Sequence, residues 1–160
     1  MYGLQSESAE CGVPLCRVLE AICASVESLN GGRVVRRFPA DTADALRLTE
    51  TEAVPVAVAL NELVFNALKH CAAPGGARSI EVVLTETKGG AEVRIINPGK
   101  LPPRFDYSHG SGTGTGLDLV RTLLAPVGSK LSFDDRDAKV EVTLNLRPPL
   151  LATARAPVVA

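Results

Sequence analysis

Apolar positions along the chain follow two different periods. Leu15, Val18, Leu19, Ile22, Val26 and Leu29 recur at helical spacing and Asn30-Gly31-Gly32 closes the run, which predicts a helix over 13–29. The β-branched stretch 33–38 reads as a first strand, broken by Pro39 and the polar residues 41–44. A longer helix is predicted over 52–71, with Thr51 as its cap and Pro55 close enough to the start for its missing N–H to cost nothing, and Pro74-Gly75-Gly76 ends it. The period then shortens. Residues 79–85 and 92–96, around Lys88-Gly89-Gly90, predict an antiparallel hairpin of central strands. Residues 98–116 hold three prolines and many glycines, and an irregular stretch of that length inside a compact domain is a candidate ligand loop. A helix over 116–124 and a closing hairpin, 130–133 with 139–146, complete the pattern.

This order predicts an α+β fold, a two-layer α/β sandwich with a mixed, mostly antiparallel sheet covered on one face by about three helices. The βαβ rhythm of a doubly wound fold is missing. Residues 1–12 read as an N-terminal extension, 13–147 as one catalytic domain and the Pro- and Ala-rich 148–160 as a flexible tail.

Composition narrows the function. A chain of 160 residues with 46% hydrophobic and 22% charged residues is sized for one core and too apolar to stay disordered. Its 17 basic and 18 acidic residues leave a net charge of −1, so no broad basic field is available for nucleic acid or an anionic membrane, and neither is expected as a partner. The longest apolar run, 53–60, is far short of the ~20 residues of a membrane span, and residues 1–10 carry no signal-peptide pattern, so a cytoplasmic location is expected. Cys11, Cys16, Cys23 and Cys71 form no C-x-x-C pair and are read as packing thiols.

The most informative segment is Asn61-Glu62-Leu63-Val64-Phe65-Asn66-Ala67-Leu68-Lys69-His70, where Glu62, Asn66, Lys69 and His70 share one face of an otherwise apolar helix. A buried row of carboxylate, amide and ammonium must be compensated. An internal Glu62–Lys69 ion pair bridged by Asn66 would do it, and so would a ligand. In the ligand reading Asn66 offers a neutral oxygen to Mg²⁺, Lys69 neutralises phosphate charge and Glu62 orients or deprotonates an attacking hydroxyl. A second segment, Gly110-Ser111-Gly112-Thr113-Gly114-Thr115-Gly116-Leu117, runs glycine-rich into a helix whose unpaired N–H groups suit an anion. It is a flexible loop or a phosphate loop. Its spacing matches neither the dinucleotide fingerprint nor the P-loop. Between the two lies Asn97-Pro98-Gly99, a turn former or a place where something flat approaches.

Together these residues resemble the Bergerat-fold ATPases, which include DNA gyrase, a heat-shock chaperone class, mismatch-repair ATPases and sensor histidine kinases. The resemblance covers residues 13–147 and rests on an N box, Asn61-Glu62-Leu63 to Asn66-Ala67 and Lys69-His70, and a second glycine box, Gly112 to Leu117. It is strongest to the catalytic, ATP-binding domain of bacterial two-component kinases. It implies ATP and Mg²⁺ as cofactors, Asn66 as the metal ligand, and Lys69 and His70 at phosphate or ribose. Gly112, Thr113, Gly114, Thr115, Gly116 and Leu117 would border the lid over the phosphates, and Asn97 with Gly99 would meet the base. Glu62, Asn66 and Lys69 become the implied catalytic set. A separate phosphoacceptor histidine domain and a response regulator would be the partners, with the isolated domain monomeric. The first glycine box departs from the family's Asp-x-Gly-x-Gly, with Asn97 for Asp and Leu101 for the second glycine. An amide can face either way, so Asn97 is expected to keep adenine recognition but to discriminate less against guanine. An anti-sigma-factor-like serine kinase, an ATP-hydrolysing conformational switch and a partner-docking module without nucleotide are the alternatives.

Overall fold

The computed structural model describes residues 12–40, 45–73, 75–110 and 114–152, without the Thr115 side chain. The extension 1–11 with Cys11, the polar stretch 41–44, Pro74, Ser111, Gly112, Thr113 and residues 153–160 lie outside the described residues. Within them the elements are β1 (Val13–Pro14), α1 (Leu15–Asn30), β2 (Arg33–Arg37), β3 (Arg47–Leu48), α2 (Glu50–Lys69), β4 (Ser79–Thr87), β5 (Gly90–Pro98), α3 (Thr115–Leu123), β6 (Ser129–Arg136), β7 (Lys139–Leu146) and β8 (Leu151–Ala152).

The main sheet has five strands in the order β2-β4-β5-β7-β6; only β2 and β4 run parallel. Register sorts its faces. Val82 lies opposite Ile95, Ile95 opposite Val142 and Val142 opposite Phe133, so one apolar row crosses four strands. Alternation puts these rows on one face, where α1 and α2 cover them. The other face carries ion pairs such as Arg94 with Glu141. This is the mixed, helix-covered α+β sandwich that the periodicity predicts.

α1 buries Leu15, Leu19, Ile22, Cys23 and Val26, a single helical stripe, and ends where the Gly31 N–H returns to the Glu27 carbonyl at 3.0 Å with φ +69°. Burial pushes the Cys23 thiol up to about 11, which makes it an inert packing group. α2 is the central helix, and Val56, Ala59, Leu60 and Val64 are fully buried. By length and composition alone it could cross a membrane, but one side of it, from Ala53 and Val56 to Leu68, is buried in this core, while Val54 and Val58 are exposed. Its start corrects the sequence expectation. The flanking cap residue is Thr49 rather than Thr51, and the Thr49 side chain turns away to donate to the Pro149 and Leu150 carbonyls. Pro55 therefore sits beyond the first turn, opposite the carbonyl of Thr51, which is exposed where water can satisfy it.

A second sheet, β1-β3-β8, is not visible in the sequence because two-residue strands carry no period. It corrects the reading of 148–160 as loose from the first residue. Leu150 and Leu151 are buried, and Leu151 pairs with Leu48.

The free edge of β2 is blocked from within. Glu27 of α1 accepts from the Val34 N–H at 2.7 Å and from the two terminal guanidinium nitrogens of Arg36 at 3.1 Å, while Arg36 donates to the Val34 carbonyl at 2.8 Å. The Arg36 hydrogen bond, and next the Val34 N–H, hold the Glu27 carboxyl below its ordinary range. A depressed carboxylate stabilises the fold fully above its unfolded-state pKa and loses that contribution as pH falls through its folded value. Urea midpoints should therefore fall more for the wild type than for Glu27→Gln between about pH 6 and about pH 3. Parallel losses would show that the pair contributes nothing.

Candidate active site

The last two turns of α2 place Glu62, Asn66, Lys69 and His70 along one wall of a cavity of about 650 Å³. Gly114, Gly116 and Leu117, at the start of α3, form the wall facing them. Val140 and Val142 of β7 and Phe133 of β6 supply an apolar floor. The helix stripe and the end of the glycine segment, Gly114 to Leu117, thus face each other across one cavity, while Gly110 is not among its lining residues.

The fit between α2 and α3 depends on a missing side chain. A Cβ at Gly116 would stand 2.6 Å from Glu62 Oε1 and 3.4 Å from Asn66 Nδ2. α3 begins at Thr115, one residue before the sequence expectation, with extended Gly114 as its cap. Its first bond runs from the Asp118 N–H to the Gly114 carbonyl at 3.1 Å, so the N–H groups of the first turn are free for an anion.

Among the described residues the Asn66 amide has no hydrogen-bond partner and Glu62 no ion-pair partner. Lys69 does not pair with Glu62; its ammonium lies 5.9 Å from the Phe65 ring centroid. The expectation of a buried row needing compensation is corrected as well: Lys69 and His70 are exposed and Glu62 and Asn66 half-buried, so water reaches the stripe and no internal ion pair is required. His70 ends the helix, its N–H bonded to the Asn66 carbonyl at 2.9 Å. The His70 carbonyl is what requires glycine at 99: a Cβ there would approach it to 3.3 Å, at a φ of +144°.

Asn97 is the one buried polar residue among those described, 3% exposed at the end of β5. Its Nδ2 donates to the Pro98 carbonyl at 2.9 Å, and the residue lines the cavity. Sequence reasoning named Leu101 only as a departure from the glycine box and missed Lys100, Phe105, Phe133, Val140 and Val142, all lining residues. The two valines alternate with outward residues along β7, and Phe133 lies opposite Val142, so the closing hairpin's register was the signal that could have found them. Phe105 stacks edge-on to Phe133, centroids 4.9 Å apart, and Tyr107 follows at 5.2 Å. Arg121 of α3 fastens this cluster, donating to the Tyr107 carbonyl at 2.7 Å with its guanidinium 4.9 Å from the Tyr107 ring centroid.

His109 stands apart, its side chain 81% exposed and its Nδ1 2.7 Å from Asp106 Oδ2. It does not line the cavity. His109→Ala should leave ligand affinity within a factor of about three, below the tenfold that ~1.4 kcal/mol represents. A larger loss in calorimetry would place this turn in the site.

The sequence profile of the histidine kinase-, DNA gyrase B-, and HSP90-like ATPases matches residues 51–150. No curated protein matches the chain in sequence. Among solved structures it is similar to the histidine kinase domain of the Erythrobacter litoralis EL346 blue-light activated histidine kinase, with a TM-score of 0.68, 19% identity, and coverage of 86% of this chain and 65% of that one. The catalytic domain of histidine kinase ThkA superposes with a TM-score of 0.61 at 16% identity, over 84% of this chain and 93% of that domain. Full-length ShkA in complex with AMPPNP gives 0.64 at 16% identity, with 92% of this chain and 32% of that one covered. The chain spans less than two thirds of the EL346 proteins it matches, 65% of the kinase domain and 43% of the longer chain. The fold is that of histidine kinase catalytic domains, and the chain belongs to the histidine kinase-, DNA gyrase B-, and HSP90-like ATPase family.

Proposed function

We propose that this chain is the ATP- and Mg²⁺-binding catalytic module of a histidine kinase, acting in the cytoplasm on a histidine carried by a separate phosphoacceptor domain that serves a response regulator. The observation that carries the proposal is the convergence of Glu62, Asn66, Lys69 and His70 with the free N–H end of α3 across one cavity with an apolar floor.

A purine is flat and apolar on its faces, which suits the floor of Val140 and Val142. A polyphosphate needs cations and N–H donors, which Lys69, His70 and the α3 N-terminus supply. Magnesium fits the residues present: among the described residues the Asn66 amide oxygen has no partner, and both it and the Glu62 carboxylate stand close to Gly116, an oxygen donor set for a hard cation that keeps waters and substrate oxygens. Asn66 would hold it, and the metal would neutralise charge on the phosphates. Gly116 lets α3 close directly against this pair, so the Glu62 carboxylate faces the phosphate end of the cavity, where it would orient the incoming nucleophile. Phosphoryl transfer depends mainly on such positioning.

His70 ends the helix in the cavity wall and His109 is held by Asp106 outside it, so neither is placed to accept the phosphoryl group in line. Incubation with γ-labelled ATP should leave the isolated, monomeric chain unlabelled and should label a histidine on a helical dimerisation domain supplied in trans, with acid-labile chemistry. Acid-labile label on the chain alone would defeat this reading. Acid-stable label on a partner serine would establish the serine-kinase alternative instead.

A further inference from the structure

Val120 is the only fully buried residue described in α3, a helix of nine residues. A helix seated by so little apolar surface can still turn on its neighbour, so a second anchor decides where its N-terminus points. Arg121 supplies it. Its Nη2 donates to the Tyr107 carbonyl at 2.7 Å and its Nε to the same oxygen at 3.3 Å, while that carbonyl also accepts the Gly110 N–H at 3.2 Å. The guanidinium lies against Gly110, where a Cβ would stand 3.6 Å from Nη2. Its remaining nitrogen, Nη1, meets Asp118 Oδ1 at 2.9 Å, and Asp118 is the residue whose N–H closes α3 on the Gly114 carbonyl. One side chain thus joins Gly110, at the start of the glycine segment, to the first turn of α3 after it. In the other direction the Tyr107 ring packs 5.2 Å from Phe133 of the cavity floor.

We propose that Arg121 is a positioning residue for the phosphates: by gripping the Tyr107 carbonyl it sets the first turn of α3, with its free N–H groups, at a fixed spacing from the floor of Phe133, Val140 and Val142. The inference rests on the nucleotide-binding reading above. A base on the floor and phosphates at α3 belong to one molecule, so both ends are satisfied together only when that spacing is held beforehand. Arg121 itself does not line the cavity; its donors are spent on Tyr107 and Asp118. Its action is therefore through α3 and is separable from its charge. A lysine would keep the charge and lose the planar fork that stacks on the Tyr107 ring, meets the carbonyl with two nitrogens and reaches Asp118 with the third.

Binding of adenosine, ADP and ATP in the presence of magnesium, followed by NMR shift titration into the millimolar range, distinguishes positioning from support of the fold. Arg121→Ala should weaken ATP and ADP about tenfold, the size of ~1.4 kcal/mol, and leave adenosine within a factor of about two, because the floor is unchanged. Retained adenosine binding shows at the same time that the variant is folded. Arg121→Lys should behave as the alanine variant does, within a factor of about three for each ligand, and carries the same contrast should the alanine chain not fold. Unchanged ATP affinity in the folded alanine variant overturns the inference. So does a loss shared equally by adenosine in the lysine variant, which would make Arg121 a support of the floor, or full recovery of ATP binding by lysine, which would assign the effect to charge. Wild type that binds ATP without binding adenosine also overturns it and leaves the nucleotide-binding reading standing. If the wild type binds none of the three, that reading and this inference fall together.

Discussion

Asn66→Ala should lower the affinity for ATP by about a hundredfold in the presence of magnesium, roughly 2.7 kcal/mol, and change it little when the metal is chelated. The asymmetry follows from the site. The amide has no bond to any described residue, so its removal leaves no buried donor or acceptor orphaned and costs the fold little. What it removes is an oxygen facing the gap between α2 and α3, where a Cβ on Gly116 would already be in contact. Calorimetry with magnesium and with a chelator measures the two values, and a melting curve within a few degrees of wild type shows that folding is untouched. An equal loss in both conditions would mean that Asn66 contacts the nucleotide itself. No loss in either would remove it from the site.

The largest stability effect is expected far from that cavity. Leu150→Ala should cost about 2–5 kcal/mol, the range for emptying a buried leucine site, from a total of ~5–15 kcal/mol for a domain of this kind. Leu150 is fully buried. Its N–H bonds the Arg147 carbonyl at 2.9 Å, and its own carbonyl accepts the Thr49 N–H at 2.9 Å, so the segment after β7 is held to the start of α2. Gly128 completes the seat: its φ is +96° and a Cβ there would meet Leu150 Cδ1 at 2.5 Å. Urea denaturation decides the size. A change within ~0.5 kcal/mol, as for an exposed position, would return the segment to the loose tail that its composition predicts.

That segment shows where sequence reasoning stops. The long helices and the strands of the main sheet were legible because each repeats its period several times, as α1 does from Leu15 to Val26. Arg47–Leu48 and Leu151–Ala152 are too short to repeat anything, and their pairing is set by a partner about a hundred residues away. The cap of α2 was misplaced by two residues because Thr49 and Thr51 are equally good caps in isolation; the C-terminal segment, by bonding Thr49, decides between them. In the site, Glu62, Asn66, Lys69 and His70 were readable because polar residues on one face of an apolar helix are conspicuous. Phe133, Val140 and Val142 were not, because the residues that make an apolar floor look like any other strand interior. The sense of the Asn97 amide needed the Pro98 and Ala72 backbone in place, which no local pattern reveals.

β5 and β7 pair as neighbours, Pro98 opposite Lys139, although the glycine-rich connection, α3 and β6 all lie between them in sequence. The pairing of β5 with β7 is therefore made without the glycine-rich connection and α3, and β6 joins the sheet on the far side of β7. Closing a flexible loop costs free energy only as the logarithm of its length, about 0.6 kcal/mol for each doubling. That small cost applies only where no contact is lost: Leu101 is bonded to Asp135, Phe105 packs on Phe133 and Tyr107 is held by Arg121, so these residues are as fixed as Asn66, Asn97 and the valine floor. The sheet therefore sets the dimensions of the cavity, and the connection above it is moored to that frame through Leu101, Phe105 and Tyr107.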